Sequence, residues 1–259
     1  MAAATTKLLL SDLASTVKSV PSNYIRPISD RPNLTEVQIS DGSIPLVDLQ
    51  VLNGPSRLDI IKQIGQACQH DGFFQVKNHG IPETIINNML TIARAFFKLP
   101  ESERLKSYSD DPSKITCMNG LRILHPSDII RHTDPNLITV LLQDDVPGLQ
   151  VLRNGKWLPV SPIPNTFIVN IGDQMQVLSN DLYKSVLHRA LVNCDKERIS
   201  IPRFYCPSPD AVIAPAKDLI DERHLAFYKN FTYAEYYQKF WNRGLAAEGC
   251  LDLFEVSTA

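Results

Sequence analysis

The sequence lacks the features that mark disulfide-stabilised, nucleic-acid-binding or membrane proteins. Its five cysteines are an odd number and contain no CxxC pair, so neither a disulfide framework nor a zinc knuckle is expected. A formal net charge of −2 gives no general attraction to nucleic acid or to an anionic membrane. Three consecutive leucines near the N-terminus are too short a run for a secretory signal, and no other apolar run approaches a membrane span. We therefore expect a monomeric cytoplasmic protein with reduced thiols and with no nucleic-acid or membrane partner.

The first part of the chain alternates strand and helix patterns. With 259 residues, of which 44% are hydrophobic, the chain is long enough to bury a substantial core. Apolar positions at helical spacing predict a helix over residues 7–18, and the same spacing recurs twice after residue 56. The predicted unit that follows consists of a strand over 44–49, a helix over 57–69, a strand over 73–77 and a helix from Pro82 to about residue 99. Pro45 favours an edge position for the first of these strands.

After residue 136 the pattern becomes almost entirely β. Residues 101–106 are compatible with a short helix, whereas residues 107–131 show no sustained periodicity. Short strands separated by regular turns are typical of a sandwich or barrel, and Asn154-Gly155 is a strong hairpin signal. Aromatic residues at helical spacing predict a closing helix over 233–241, which Gly244 ends. The predicted strands cover residues 137–142, 149–152, 156–160, 167–171, 183–193 and 199–205.

Six residues in this second part could form one site. His132 and Asp134 are two positions apart, so on an extended chain both side chains point the same way. His188 follows in the segment 183–193 and shares a face with its second neighbours. The same alternation puts Arg198, Ser200 and Phe204 on one face of the last predicted strand. If these faces line the inside of one barrel, the six side chains converge.

The residue types match a known kind of metal site. Two histidines and one carboxylate on one face of an octahedral metal leave three positions open, as in non-haem Fe(II) oxygenases. A keto acid can chelate through two of them, and its distant carboxylate then needs a buried cation such as Arg198. Each piece alone has an ordinary explanation: a surface turn for His132 and Asp134, a core histidine for His188, or a solvated strand end for Arg198. A barrel that uses another divalent metal for isomerase or binding work is a further alternative.

The order of these motifs resembles the plant 2-oxoglutarate- and Fe(II)-dependent dioxygenase family. In its detailed residue sequence, the chain is most similar to the downy-mildew-resistance-6-like oxygenases, a group related to flavonoid oxidases and salicylate hydroxylases. The matching pieces are Ile44-Pro-Leu-Val-Asp-Leu49, Gly72-Phe-Phe-Gln-Val-Lys-Asn-His-Gly-Ile81, Phe96-Phe-Lys-Leu-Pro100, His132-Thr-Asp-Pro-Asn136, Leu141-Leu-Gln-Asp-Asp-Val-Pro-Gly-Leu-Gln-Val151, Asn170-Ile-Gly-Asp173, Tyr183-Lys-Ser-Val-Leu-His-Arg-Ala190, Arg198-Ile-Ser-Ile-Pro202 and Phe204-Tyr-Cys-Pro-Ser-Pro-Asp210.

The resemblance implies a fold, a cofactor set and residue roles. The expected fold is α+β with a mainly β core, a double-stranded β-helix (jelly roll) with a helical N-terminal region and a C-terminal helix. The implied iron ligands are His132, Asp134 and His188, and Arg198 and Ser200 would bind 2-oxoglutarate. Phe204 would stack on the substrate, a small aromatic plant metabolite such as salicylate or a flavonoid. Fe(II), 2-oxoglutarate, dioxygen and ascorbate as reductant are the implied participants.

One segment departs from the family pattern. Relatives carry a helical section and the first core strand, with an Asn-Tyr-Tyr-Pro-type motif, before the His-x-Asp motif, whereas residues 115–131 match nothing in the family. The resemblance thus divides the chain into an N-terminal region (1–114), an atypical junction (115–131), the dioxygenase core (132–245) and a tail (246–259). A lost core strand would expose a sheet edge. The alternative function is therefore a catalytically impaired form that acts at most as a binding protein.

Overall fold

The computed structural model describes residues 44–106, 131–191, 196–242 and 249–256. These residues belong to two compact units: one contains residues 88–106, and the other contains residues 44–87 and all described residues from 131 onward. This grouping differs from the division at residue 114, because the first two strands pair into the sheet of the second unit. The predicted helix over 7–18 and the junction 115–130 lie outside the described residues.

The described elements largely follow the predicted order, and none of their helices is long and apolar enough to cross a membrane. Short 3-10 helices occur at Leu49–Val51, Lys217–Leu219 and Leu251–Phe254. The strands and α-helices are β1 (Leu46–Asp48), α1 (Arg57–His70), β2 (Phe73–Lys77), α2 (Glu83–Phe97), α3 (Glu101–Leu105), β3 (Ile138–Gln143), β4 (Leu149–Arg153), β5 (Lys156–Pro159), β6 (Phe167–Ile171), α4 (Asp173–Leu178), β7 (His188–Ala190), β8 (Ser200–Tyr205), β9 (Val212–Ile213), β10 (Phe231–Thr232) and α5 (Tyr233–Asn242).

Two sheets form the framework of the larger unit. The five-stranded sheet has the order β1-β2-β6-β3-β8, with β1 and β2 parallel and the other neighbours antiparallel. The three-stranded sheet has the order β5-β4-β7. β1 is an edge strand, which confirms the position predicted from Pro45. At the other edge, β8 has only β3 as a neighbour among the described strands.

Each face of the five-stranded sheet packs against a different layer. On one face, Ile60, Ala67 and Cys68 of α1 form a buried cluster with apolar side chains of β1, β2 and β6. On the other face, Phe73 and Ile168 pack with residues of β4, in the layer between the two sheets. β2 is buried on both faces, with Phe73 on one face, Phe74 and Val76 on the other, and the polar Gln75 also buried. Full burial of each such large apolar side chain stabilises the fold by about 1.5–3 kcal/mol.

The strand predicted over residues 183–193 is wrong for most of its length. Among residues 183–191, which the structure describes, the strand is confined to His188–Ala190, because the backbone before it packs against the end of α1 and pairs with it. The amide of Lys184 donates to the carbonyl of Cys68 at 3.0 Å, outside any strand ladder. Gly72, with φ +62°, lies so close that an added Cβ would be 2.4 Å from the carbonyl oxygen of Lys184.

The C-terminal part also contains structure that the sequence pattern did not predict. Helix α4 follows Gly172, where no helix was predicted, and β9 and β10 form a small separate sheet. The predicted aromatic helix is present as α5, and its expected stop at Gly244 lies outside the described residues. Leu251 and Phe254 are buried against α5 aromatics. The segment that the sequence division treated as a tail therefore contributes to the core.

Gly72 and Gly155 offer a matched test of this close packing. Both have positive φ, but an added Cβ at Gly155 meets nothing within 4 Å. Gly155→Ala should therefore cost only the left-handed backbone strain, about 1–2 kcal/mol. Gly72→Ala should cost about 1–3 kcal/mol more, because the methyl group overpacks the contact with residues 184–186. Urea unfolding of the two variants measures this difference, and equal losses would contradict the packing argument.

Candidate metal centre

His132 and His188 face each other as a backbone pair. The amide of each donates to the carbonyl of the other at 3.0 Å, which extends the three-stranded sheet by one bridge beyond β7. Directly opposed residues of an antiparallel pair project their side chains to the same side. The two imidazole rings accordingly lie with centroids 4.3 Å apart. The bridge therefore brings together two histidines that are far apart in the sequence.

Asp134 completes a group of three ligand atoms. Its Oδ1 lies 3.8 Å from Nε2 of His132 and 3.6 Å from Nε2 of His188. One ligand atom from each of the three residues lies within 4.8 Å of the other two. Within the described parts of the chain, this is the one group of three or more His, Cys, Asp or Glu residues with metal-site spacing. The structure therefore brings together the three residues predicted as metal ligands.

The second oxygen of Asp134 is held by two polar side chains in otherwise apolar strands. Thr139 Oγ1 donates to Oδ2 at 2.5 Å, and Asn170 Nδ2 donates to the same oxygen at 2.8 Å. Asn136 Nδ2 in turn donates to Thr139 Oγ1 at 2.9 Å. All four side chains of this network are buried. These bonds leave Oδ1 directed toward the imidazoles.

The backbone around Asp134 is fixed by the junction between β6 and α4. The amide of Asp173 donates to the carbonyl of Asp134 at 2.8 Å, and the amide of Gln174 donates to that of Asn136 at 3.0 Å. Gly172 permits this close approach, since an added Cβ there would be 2.2 Å from the carbonyl oxygen of Asn136. Residues that follow the His-x-Asp motif in the sequence thus position it, together with the bridge to His188.

Burial and hydrogen bonding set the ionisation of the two inner ligands. Burial, followed by the neighbouring His132, lowers the pKa of His188 to about 4, so its imidazole is neutral at pH 7. Its Nδ1 lies 3.1 Å from the carbonyl of Val186, which can only accept, so Nδ1 carries the proton and Nε2 keeps a lone pair. Burial opposes ionisation of Asp134, but the imidazoles, Thr139 and Asn170 outweigh it and hold its pKa below the usual value.

Ser200 is the first residue of β8 and pairs with Gln143 of β3, and Arg198 lies two residues before it. Arg198 NH1 donates to Ser200 Oγ at 3.3 Å, and its NH2 donates to Gln143 Oε1 at 2.9 Å. The Nε of Arg198 is buried and has no hydrogen-bond partner among the described residues. Gly148 packs against the side chain, with Arg198 Cδ 2.8 Å from where a Cβ would be. The guanidinium is therefore held in place with one buried donor unused.

Phe204 lies on the same face of the five-stranded sheet as the network around Asp134. One row of direct register partners crosses the sheet from Phe73 through Asn170 and Thr139 to Phe204. Opposed residues in antiparallel strands share a face, so the Phe204 ring projects to the side on which Thr139 meets Asp134. The Phe204 residue is 50% exposed. An aromatic ring beside the metal centre is thus available for contact with another molecule.

Asp173 is a second buried carboxyl group beneath the His-x-Asp motif. Its Oδ2 accepts hydrogen bonds from Thr133 Oγ1 at 3.1 Å and from the hydroxyl of Tyr236. Burial raises the pKa of Asp173 to about 6, although these hydrogen bonds favour the ionised form. Asp173 thereby links the metal-centre loop to α5, which carries Tyr236.

Comparison with known proteins gives matches over both parts of the chain. Residues 105–207 match the family described as 2OG-Fe(II) oxygenase superfamily, and residues 44–122 match the non-haem dioxygenase in morphine synthesis N-terminal family. Protein DMR6-like oxygenase 2 of Arabidopsis thaliana is 44% identical, with 99% of this chain and 100% of the relative covered. The chain belongs to the 2OG-Fe(II) oxygenase superfamily. It is a 2-oxoglutarate-dependent dioxygenase by family, and Fe(II) and 2-oxoglutarate are the cofactor and co-substrate of that family.

A second relative and a solved structure extend the match to this oxygenase. Flavanone 3-dioxygenase 2 of Oryza sativa subsp. japonica is 37% identical, with 92% of this chain and 95% of the relative covered. The crystal structure of JOX2 in complex with 2OG, Fe and JA superposes with a TM-score of 0.76 at 26% identity. That superposition covers 97% of this chain and 98% of JOX2. The predicted mainly β dioxygenase fold is confirmed.

The alignment lengths also bear on the unusual junction of this oxygenase. The alignment with DMR6-like oxygenase 2 runs over 347 positions, more than the 259 residues of this chain. It therefore contains positions that the relative fills and this chain does not. This agrees with an expected loss of positions relative to the family, whereas the family match over residues 105–207 spans the junction 115–131, which was expected to match nothing in the family.

The residues that hold Asp134 and Arg198 were not predicted from the sequence. Thr139, Asn170 and Gln143 lie in β3 and β6, whereas the sequence motifs pointed only to histidines, carboxylates, Arg198, Ser200 and Phe204. One usable signal was the single polar residue in Ile-Thr-Val-Leu-Leu and in Phe-Ile-Val-Asn-Ile, since an uncompensated polar group is costly in a buried strand. Their partners, however, depend on the strand register.

Asp173 gives this oxygenase a specific dependence of stability on pH. Its folded pKa of about 6 lies above the usual value of 3.8 for an aspartate, so the stability from its protonation is present below about pH 4 and lost as pH rises through about 6. Asp173→Asn removes this loss while keeping an acceptor for Thr133 and Tyr236. The variant should therefore gain up to about 3 kcal/mol over the wild type between about pH 4 and pH 7. Urea unfolding at several pH values tests this, and a constant difference would contradict it.

Proposed function

We propose that His132, Asp134 and His188 bind Fe(II), that Arg198 and Ser200 bind 2-oxoglutarate, and that the oxygenase oxidises a small aromatic plant metabolite. The observation that carries the proposal is the grouping of the three ligand atoms within 4.8 Å of one another. Imidazole nitrogens and a carboxylate are ligands that suit Fe(II). The neutral imidazole of His188, with Nδ1 fixed by the carbonyl of Val186, supports a ligand role for Nε2.

Three protein ligands on one side of the metal leave room for the co-substrates. An octahedral site with two histidines and one carboxylate keeps three open positions, enough for a chelating keto acid and dioxygen. When bound, Fe(II) supplies the coupling of oxidative decarboxylation of 2-oxoglutarate to substrate oxidation. The chain itself places the ligand atoms, and the side chains around them orient the ligands and bind the co-substrate.

Arg198 has the properties that a 2-oxoglutarate carboxylate requires. A guanidinium presents a planar fork of donors that matches a carboxylate, and burial strengthens such a charge-assisted bond. The buried, unused Nε of Arg198 supports this role, as does the adjacent hydroxyl of Ser200 at 3.3 Å from NH1. Burial lowers the pKa of Arg198, but a guanidinium stays protonated at neutral pH, so a buried positive charge remains for the ligand.

The aromatic substrate class rests on Phe204 and on relatives. The half-exposed ring of Phe204 lies on the metal side of the sheet, where it can stack on an aromatic substrate. Flavanone 3-dioxygenase 2 and oxoglutarate-dependent flavonoid 7-O-demethylase 1 of Ocimum basilicum carry flavonoids in their names. A flavonoid or salicylate is therefore the proposed substrate. Ascorbate as reductant, a monomeric state and a cytoplasmic location stay predictions.

The second candidate function is a catalytically impaired binding protein. β8 carries Ser200 and Phe204, and it has one strand neighbour among the described residues. Relatives fill alignment positions that this chain lacks. An unpaired edge strand is a less rigid support for a binding site, so ligand affinity could be lost although the ligand set is assembled.

The proposed roles predict different losses for two variants. His188→Ala should abolish succinate formation that depends on Fe(II) and 2-oxoglutarate, because only two ligands remain. Arg198→Lys should raise KM for 2-oxoglutarate by about 10- to 100-fold, because the planar fork is lost while a positive charge is kept. Metal binding should be unchanged in Arg198→Lys. Succinate measured against the concentrations of metal and 2-oxoglutarate, with flavanone and salicylate as substrates, gives these values.

Two results would contradict these roles. If succinate formation persists in His188→Ala, the proposed set of metal ligands is wrong. If Arg198→Lys leaves KM for 2-oxoglutarate unchanged, Arg198 does not bind the co-substrate. Arg203→Lys is the matched control, because Arg203 lies on the same strand but is exposed and on the opposite face from Ser200 and Phe204.

Thermal unfolding distinguishes the enzyme from the impaired form. A ligand that binds only the native state raises the unfolding temperature. At a concentration of one hundred times its Kd, it adds about 2.7 kcal/mol to the free energy of unfolding. An active oxygenase should be stabilised by Fe(II) and further by 2-oxoglutarate, measured by calorimetry under anaerobic conditions. Stabilisation by neither ligand, or by Fe(II) alone with no further effect of 2-oxoglutarate, would favour the impaired form.

A further inference from the structure

We propose that Thr139 and Asn170 are positioning residues that restrict Asp134 to binding the metal through one oxygen. This inference rests on the proposed function, because it assumes that Asp134 is a metal ligand. Thr139 and Asn170 are direct register partners on β3 and β6, so their side chains project side by side from the same face of the sheet. Both donate to the same oxygen, Oδ2, at 2.5 and 2.8 Å.

The number of lone pairs explains why Oδ2 is removed from the metal. Each oxygen of an ionised carboxylate has about two acceptor sites. The donors of Thr139 and Asn170 occupy both sites of Oδ2, whereas Oδ1 faces the two Nε2 atoms. Asp134 and both donors are buried, at 3–4% exposure, so water cannot readily replace either bond. Only Oδ1 is thus available to a metal.

Asn136 fixes the direction of the Thr139 hydrogen bond. The amide nitrogen of Asn136 can only donate, and it lies 2.9 Å from Thr139 Oγ1. The hydroxyl therefore accepts from Asn136, and its single hydrogen is directed to Asp134. The chain of bonds from Asn136 through Thr139 to Asp134 has one polarity. A serine at position 139 can keep this chain, whereas a valine of similar shape cannot.

The consequence concerns the number of open metal positions. With one oxygen of Asp134 and two imidazoles bound, an octahedral metal keeps three open positions. If Oδ2 also bound, two positions would remain, too few for a chelating keto acid and dioxygen together. Thr139 and Asn170 therefore keep the third position open for the co-substrates.

Co(II) binding to the full chain tests this inference without turnover. Isothermal titration calorimetry gives the affinity, and the visible absorption of bound Co(II) reports its coordination. Thr139→Val should weaken Co(II) binding by about 10- to 100-fold and change the absorption spectrum, as expected for loss of an outer hydrogen bond to a ligand. Thr139→Ser should stay within about threefold of the wild type and keep its spectrum. Asn170→Ala should resemble Thr139→Val.

The control variants separate this inference from the proposed function. Melting of the metal-free proteins identifies a variant that fails to fold, and Asn170→Ala then replaces Thr139→Val as the test. If His188→Ala abolishes Co(II) binding while Thr139→Val and Asn170→Ala bind like the wild type with the same spectrum, the positioning role is wrong and the ligand set stands. If His188→Ala binds Co(II) like the wild type, the ligand set itself is wrong.

Discussion

The structure around the candidate metal centre depends on how one buried carboxylate is held. Asp134 has one oxygen bonded to Thr139 and Asn170 and the other facing two imidazoles. A buried ionised group is costly unless it is hydrogen-bonded or paired, and here Thr139 and Asn170 supply the hydrogen bonds. The β6–α4 junction fixes the same residue through its backbone, with Asp173 as donor. The local geometry of the site is therefore determined by residues after it in the sequence.

The two sheets serve this arrangement in different ways. The five-stranded sheet supplies a cross-strand row, in which Asn170 and Thr139 hold the carboxylate and Phe204 lies beside them. The three-stranded sheet supplies His188, which packs edge-on against Phe73 of that row at 5.2 Å. The apolar layer between the sheets excludes water and keeps the imidazole neutral. The packing that forms the core therefore also keeps His188 in the neutral state that a metal ligand requires.

The support of the ligand set can be traced within the described residues. A core strand lost before the His-x-Asp motif would remove one support of that motif. In the described residues that support comes instead from the bridge between His132 and His188 and from Gly172, which allows the close backbone contact with Asn136. β8, in contrast, has one neighbour among the described strands, and it carries Ser200 and Phe204 of the proposed 2-oxoglutarate and substrate sites.

The sequence by itself determined the fold class, most strands and the six candidate site residues, because period-two and period-3.6 patterns and short motifs are local properties. It did not determine that residues 183–186 leave the strand ladder, since this depends on the contact of Lys184 and Val186 with Gly72. It also could not identify Thr139 and Asn170 as partners of Asp134, because a strand pattern carries no register. Only the tertiary structure decides which buried polar groups satisfy one another, since their partners come from distant parts of the chain.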